Sequence, residues 1–549
     1  MFNRYCGIIK SEFHKYNPKR FSRDIMAGIT VAAVALPLAL AFGVSSGADA
    51  ASGLITAIIA GIIIGIFSGA SYQISGPTGA MVAILIPIVA KYTLQGVFIV
   101  SILAGIILLL AGVLKLGKLV SIIPRPVITG FTSGIAVIIA LGQIDHFFGT
   151  TSAGEGALQK LLSYGELGFL IQWQPVVIGA IVVGIMIFWP RNLGKIVPSS
   201  LVGIVVATLV SSLFNFQVST IGAIPRTLLP DVRFDLTTFQ LSDLPIFISP
   251  AISIAALSMV ESLLCGTSAL RMKKNGSFDA DQELVAQGIG NIIIPFFGGI
   301  PATAAIARTS VAIKSGSETR LTSVIHAVML LASMFLLSDV MANIPNAALA
   351  GVLMVTAWRM NEWCAIKKMF SKRNRGAVLK FLITLAATVM FDLTIAIIIG
   401  VAFSAFIFVV NSSKLNVASS KVKNDLLHAC PGDVEQEHVS TTVIYITGPL
   451  FFGNAEKLFE HVYGELEDSK RLIFSMRGVS GIDSTGAEVI LDIVRECDSK
   501  HVSVTICGLS DMVRKRLDTA GVTDIIGKDA YFFSVDRALL ASQSKHIPC

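Results

Sequence analysis

The residues best placed to do chemistry lie between Phe296 and Gly316, in the run FFGGIPATAAIARTSVAIKSG. Gly298, Gly299 and Pro301 interrupt the backbone, and a helix of small residues restarts at Ala302 and Thr303. Arg308 follows two turns later, with strongly apolar sequence on both sides. A cation at membrane depth costs at least about 2.5–3.5 kcal/mol on insertion scales and is kept mainly where it lines a cavity or meets a partner. A broken helix whose N-terminal amides point inward adds the positive end of a helix dipole. The chemistry on offer is the binding of an anion near the bilayer midplane. The first half of the chain repeats the device. Tyr72 to Ala90 reads YQISGPTGAMVAILIPIVA, a Gly-Pro break followed by a short helix of small residues. Tight helix packing accounts for one such break. Two at corresponding places, one carrying a charge, point to a transporter site between inverted repeats.

Glu261 is the one acid in the apolar run 249–270. It admits two readings: a structural ion pair or water-exposed residue, and a proton-coupling carboxylate facing the anion site. His326 reads as a hydrogen-bonded packing residue rather than a relay member. Asp392, before Leu393-Thr394, reads as a helix cap, and Asp279, Asp281 and Glu283 read as a solvated loop face. No nucleophile–base constellation suggests an enzyme, and nothing calls for a cofactor. The seven cysteines (Cys6, Cys265, Cys364, Cys430, Cys497, Cys507, Cys549) show no paired spacing, so neither a disulfide framework nor a metal site is expected. Gly288-Ile289-Gly290 opens like a dinucleotide fingerprint but lacks the third glycine and the preceding strand.

The elements that must position these groups are membrane helices. Of 549 residues, 53% are hydrophobic and 14% charged, against about 25% charged in soluble domains. Fourteen apolar segments follow in order: 24–44, 52–70, 76–91, 96–114, 126–144, 175–190, 197–214, 249–270, 284–298, 302–313, 321–338, 343–357, 376–391 and 393–411. They are numbered 1 to 14 below. Several are shorter than the roughly 20 residues of a straight span, which suits half-helices. With residues 1–23 placed in the cytoplasm, the loops on that side carry twenty-three Lys and Arg, against four on the other. This is a strong positive-inside bias, and both termini are expected inside. The net charge of +7 therefore belongs to topology and not to nucleic acid.

After residue 411 the composition changes. Residues 412–439 read as a polar connector, and 440–549 as a small cytoplasmic α/β domain. Its strands are expected at Thr442–Ile446, Leu472–Ser475 and Ser503–Cys507. Helices are expected at Asn454–Leu466, Gly486–Lys500, Asp511–Gly521 and Val535–Gln543. The turn Gly481-Ile482-Asp483-Ser484-Thr485-Gly486 is either an ordinary helix cap or a phosphorylation site at a helix N-terminus.

The runs ALPLALAFGVSSG (35–47), ISGPTGAMV (74–82), VESLLCG (260–266) and residues 283–316, with the DSTG-containing tail, resemble the SulP/SLC26 anion transporters along nearly the whole chain. Residues 260–308 and the PLFF-x-x-AE-x-LF pattern at 449–459 look most like bacterial DauA-type dicarboxylate and sulfate permeases. The resemblance implies a polytopic α-helical membrane protein with a seven-plus-seven inverted repeat. Segments 1–4 and 8–11 would form a mobile core, and segments 5–7 and 12–14 a gate bordering a homodimer contact. The tail resembles a STAS domain, with Ser484 and Thr485 at the regulatory turn. The anion site should fall on the amides around Thr78, Gly79 and Ala80, and on Ala305, Ile306, Ala307 and Arg308, with Glu261 coupling protons. Many relatives have Gln after the proline of segment 1, where this chain has Leu38, so one polar substrate contact is missing. Sodium-coupled relatives lack the arginine, and a fixed cation at Arg308 would repel sodium.

The expected function is secondary active transport of sulfate, bicarbonate or a C4-dicarboxylate, by proton symport or by exchange, in a bacterial inner membrane. An uncoupled anion channel, or an anion sensor signalling to a cytoplasmic partner through the tail, are the alternatives.

Overall fold

The computed structural model describes residues 2–14, 16–118, 123–154, 157–190, 193–195, 197–235, 244–273, 277–391, 393–412, 415–422 and 440–544. It separates into two compact units, residues 1–402 and 403–549.

Each expected membrane segment is a helix. Segments 1 and 2 are Pro18–Ser45 and Ala50–Phe67. Segments 3 and 4 run from Gly79 to Val113 and are broken at Thr93, whose φ of 60° is not helical. Segments 5 to 7 are Arg125–Gly142, Trp173–Phe188 and Ser199–Leu213, and segment 8 is Leu244–Met272. Segment 9 is Ala280–Ile293, extended by a 3-10 turn at Ile294–Phe297. Segments 10 to 14 are Ile306–Lys314, Leu321–Leu336, Asn346–Met360, Arg375–Met390 and Leu393–Ser412. Asp392, expected as a cap, lies outside the described residues.

Packing sorts these helices into two groups. Segments 1 to 4 pack against 8 to 11, and segments 5 to 7 against 12 and 13. Bilayer gives apolar helices little hydrophobic reason to associate, so close backbone approach has to hold them. The contact of segment 4 with segment 9 shows how. A Cβ on Gly288 would lie 2.6 Å from the amide nitrogen of Leu109, and one on Gly105 would lie 2.8 Å from the carbonyl oxygen of Gly288. Gly288 thus belongs to a helix crossing.

Polar groups tie the ends of this body. The helix Phe2–Phe13 lies within the expected N-terminal segment. Its Glu12 forms a buried ion pair with Arg320 at 2.8 Å, and Tyr5 donates to the Ile66 carbonyl oxygen at 2.7 Å. Asp24 is fully buried. It accepts from the Tyr16 hydroxyl at 2.9 Å, the Glu318 and Thr319 amides at 2.7 and 3.1 Å, and the Thr319 and Thr322 hydroxyls at 2.6 and 2.9 Å. A buried carboxylate needs such partners to repay its desolvation. Arg20, Arg23, Lys273 and Arg320, assigned to one side by loop charge, meet at this end. At the opposite end Arg226 pairs with Asp339, and the Arg233 carbonyl accepts from Gln95.

Two short strands, β1 (Ser75–Gly76) and β2 (Thr303–Ala304), pair antiparallel just before segments 3 and 10. The helix expected to restart at Ala302 and Thr303 therefore begins only at Ile306, because Thr303 and Ala304 are taken up by the strand pairing, and Arg308 lies in its first turn rather than two turns in. The partners are Ser75 with Ala304 and Gly76 with Thr303, as a two-fold relation between repeats requires.

The second unit carries a five-stranded sheet. Its strands are β3 (Asn416–Lys421), β4 (Thr441–Thr447), β5 (Arg471–Gly478), β6 (Ser503–Cys507) and β7 (Tyr531–Phe532), in that spatial order. β3 is antiparallel to β4, and the remaining pairs are parallel. Ile444, Phe474 and Ile506 face one core with helices Ala455–Leu466 and Ser484–Ser499, while Val443, Ile473 and Cys507 face Ala538 of helix Val535–Ser544. β3 arises within the stretch assigned to the polar connector. It is a largely exposed edge strand, so it needs no apolar alternation to reveal it.

Candidate functional site

The two backbone breaks place segments 3 and 10 nose to nose across β1 and β2. Thr78 is the N-cap of segment 3 and Ala305 that of segment 10, and neither N-terminus is closed by a side-chain cap. The first-turn amides of two helices are therefore left for another acceptor. The Ala305 amide bonds the Ile74 carbonyl oxygen at 3.0 Å, and the Ile74 amide bonds Thr309 Oγ1 at 3.0 Å, which fixes one noose to the other.

Arg308 reaches across this joint. It is 1% exposed, and its Nη2 donates to the Pro77 carbonyl oxygen while Nη1 has no hydrogen-bond partner among the described residues. The space it occupies exists because residue 76 has no side chain. A Cβ on Gly76 would strike Nη1, and the φ of +159° there is one that other residues rarely adopt.

The next residue holds the acid. The Thr78 hydroxyl donates to Glu261 Oε2 at 2.9 Å, so the Pro77-Thr78 dipeptide contacts both charges. Arg308 and Glu261 themselves form no ion pair within 4.0 Å among the described residues. Glu261 is half-buried in segment 8. Of the remaining candidates, Thr78, Gly79 and Ala80 are buried, Ala305 is half-buried, and Ile306 and Ala307 are exposed. Leu38 and Phe42 of segment 1 are buried. A Cβ on Gly79 would approach Phe42 Cε1 to 3.2 Å, so segment 1 packs on the start of segment 3.

A buried polar lattice behind the joint was not expected. Gln73 donates to the Ser262 carbonyl at 2.9 Å, and Ser262 Oγ lies 3.1 Å from Thr303 Oγ1 and accepts from the Ala304 amide at 3.2 Å. Gln287 donates to Ser75 Oγ and to Glu283 Oε1, both at 2.9 Å. Asn291 donates to the Ala302 carbonyl at 2.9 Å and accepts from the Ala302 amide at 2.8 Å.

The acidic cluster read as a solvated face is corrected by these contacts. Glu283 is fully buried and also accepts from Ser68 Oγ at 2.6 Å and the Gly69 amide at 3.0 Å. Asp279 caps segment 9, and Asp281 accepts from the Gly117 amide at 3.0 Å. Helical rotation separates the three acids that sequence places together. The available signal was a spacing of four: Glu283, Gln287 and Asn291 form one polar stripe on an otherwise apolar helix. His326 is fully buried in segment 11, close to where a Cβ on Gly61 would sit, and it packs there without the expected hydrogen bond: neither ring nitrogen has a partner among the described residues.

In the tail, Asp483 accepts from the Gly486 amide at 2.7 Å and caps helix Ser484–Ser499, leaving Ser484 and Thr485 exposed on its first turn. The five described cysteines are free thiols, and no cluster of metal-ligating side chains occurs among the described residues.

Comparison with known proteins agrees with this architecture. The sulfate permease family model matches residues 21–387, and the STAS domain model matches residues 434–538. The putative sulfate transporter YvdB of Bacillus subtilis is 34% identical over 547 residues, covering 96% of this chain and 98% of its own. The bicarbonate transporter BicA of Picosynechococcus is 28% identical over 542 residues, covering 96% and 95%. Among solved structures, the transmembrane domain of a cyanobacterial BicA superposes with a TM-score of 0.63 at 30% identity, over 71% of this chain and 99% of that one. The murine Slc26a9 anion transporter superposes with a TM-score of 0.85 over 99% of this chain and 95% of that one, and at 16% identity this speaks for the fold alone.

Proposed function

This chain belongs to the sulfate permease family, a family of membrane anion transporters and not of enzymes, and from that premise we propose that it is a secondary active, proton-coupled carrier of a small oxyanion or dicarboxylate. The candidates are sulfate, bicarbonate and C4-dicarboxylates. The observation that carries the reading is the joint between segments 3 and 10. Two uncapped helix N-termini face it, and a buried guanidinium there keeps one nitrogen without a partner among the described residues. Such a constellation replaces the hydration of an anion with fixed donors. In this reading the substrate sits on the amides of Thr78, Gly79 and Ala80 and of Ile306 and Ala307, beside Ala305, whose own amide is held by Ile74, with Arg308 supplying the charge.

Glu261 couples the proton. It is hydrogen-bonded to the residue that starts segment 3, while Arg308 holds the carbonyl one residue earlier. An anion arriving at Arg308 brings a second negative charge beside the carboxylate. A proton taken up by Glu261 relieves that repulsion, and the loaded carrier moves with less net charge. In this reading the protein works as a homodimer in a bacterial inner membrane, and the loop charges support both termini in the cytoplasm. The STAS domain adjusts rate or assembly, through Ser484 and Thr485 or a cytoplasmic partner.

Uptake of labelled sulfate, bicarbonate, fumarate and succinate into proteoliposomes, with and without an inward proton gradient, tests the proposal. Concentrative uptake of one anion that follows the gradient is expected. Flux that only equilibrates would indicate an uncoupled channel, and no flux for any anion would favour a sensor.

A further inference from the structure

Between segment 12 and the first turns of segment 13 the chain carries Lys367, Lys368, Lys372, Arg373, Arg375 and Lys380 within fourteen residues. None of the six forms an ion pair with an acid among the described residues. They are arranged about a short helix, Trp363–Ser371, in which Trp363, Ile366 and Phe370 recur at spacings of three and four. Trp363 and Phe370 are exposed, and the Trp363 ring lies 4.4 Å from that of Trp358. Apolar aromatic residues on one stripe, with lysines beside them, are the composition of a helix lying in a membrane interface.

The chain then turns. Arg373 takes the left-handed conformation at φ 47°, and Asn374 caps segment 13 by accepting from the Ala377 amide at 3.2 Å. The turn sets Arg373 and Arg375 on the lining of an open groove of about 530 Å³, whose other lining residues are Val378, Leu379 and Leu382. Arg375, Leu379 and Leu382 share one stripe of the helix, and both leucines are exposed. A small hydrophilic anion would gain nothing from the leucine wall, and a plain hydrocarbon nothing from the guanidinium groups. A ligand satisfying both is amphiphilic, with an anionic head and an aliphatic tail.

We propose that this groove binds an anionic phospholipid of the surrounding leaflet, its phosphate diester on Arg373 and Arg375 and an acyl chain along Val378, Leu379 and Leu382. Guanidinium forks match phosphate oxygens bidentately, and the neighbouring lysines attract an anionic leaflet.

The test uses full-length protein, purified in neutral detergent and stripped of lipid. Phosphatidylglycerol, phosphatidylcholine or glycerol 3-phosphate is then added, with retention read by native mass spectrometry and protection by the thermal unfolding midpoint. Phosphatidylglycerol should be retained and protective, phosphatidylcholine at least about tenfold less so, and glycerol 3-phosphate inert. The double variant R373Q/R375Q should weaken phosphatidylglycerol retention roughly thirtyfold, whereas R373K/R375K should keep part of it. Equal retention of the two lipids by the unaltered protein overturns the proposal, as does unchanged retention by R373Q/R375Q. Protection by glycerol 3-phosphate equal to that by phosphatidylglycerol makes the groove an ion site and refutes the lipid. If R373Q/R375Q keeps its lipid but frees the C-terminal domain to protease, the arginines serve that domain and the proposal fails.

Discussion

Replacing Arg308 with alanine removes a buried cation at the joint of segments 3 and 10 and leaves the two helix N-termini in place. Two costs follow, and they are separable. The first concerns stability. The Pro77 carbonyl loses its donor, and an orphaned buried acceptor costs about 1–3 kcal/mol. The second concerns affinity. Truncating one partner of a desolvated charge pair costs about 2–5 kcal/mol, or roughly 30- to 5,000-fold in Kd. Arg308→Lys should recover only part of the affinity, because an ammonium can neutralise the substrate but cannot hold both Pro77 and an oxyanion through a planar fork. Isothermal titration of the transported anion into purified protein, after thermal unfolding has shown the variant folded, measures the second cost alone. Unchanged affinity in a folded Arg308→Ala protein would remove the guanidinium from the binding site and reduce it to a tie between repeats.

Glu261→Gln should keep anion–anion counterflow and lose accumulation driven by an inward proton gradient, and intact gradient-driven accumulation in the same vesicles would end the coupling role. Cysteines introduced at the exposed positions Ser219 and Ser277 test orientation in intact cells. An impermeant thiol reagent should label Ser219→Cys and spare Ser277→Cys, and the reverse would overturn the topology. Gly288→Val should destabilise the membrane unit by about 1–3 kcal/mol through overpacking at Gly105 and Leu109, read as a lower unfolding midpoint; an unshifted midpoint would show that the crossing yields freely. Aspartate at Ser484 or Thr485 should change the uptake rate more than the substrate affinity, and a change confined to affinity would contradict a regulatory turn.

The parts of this molecule legible in the sequence are those whose signal is local. Long apolar runs, Gly-Pro breaks and loop charge each report on the residues that carry them, so all fourteen segments emerged in order, and Arg308 and Glu261 stood out by being charged where neighbours are not. Three of the five strands of the tail and its four longer helices followed from alternation and periodicity in the same way. What escaped depends on partners distant in the chain. Glu283 looked solvated because two other acids lie within four residues, and only its contacts with Ser68, Gly69 and Gln287 reveal its burial. The strand Asn416–Lys421 is specified by pairing with Thr442–Thr447 rather than by its own composition. That Pro77 and Thr78 each hold one of the two charges is likewise a property of the fold.

The two-residue ladder between Ser75–Gly76 and Thr303–Ala304 also has a mechanical meaning. Its four residues are buried, and breaking backbone hydrogen bonds away from water carries a full desolvation cost. The two halves of the cradle are therefore stitched, and prising them apart costs the desolvation of the ladder's backbone groups. In the proposed carrier a cargo held at the stitch moves with both repeats together, so its path is set by how segments 1 to 4 and 8 to 11 move as one against segments 5 to 7 and 12.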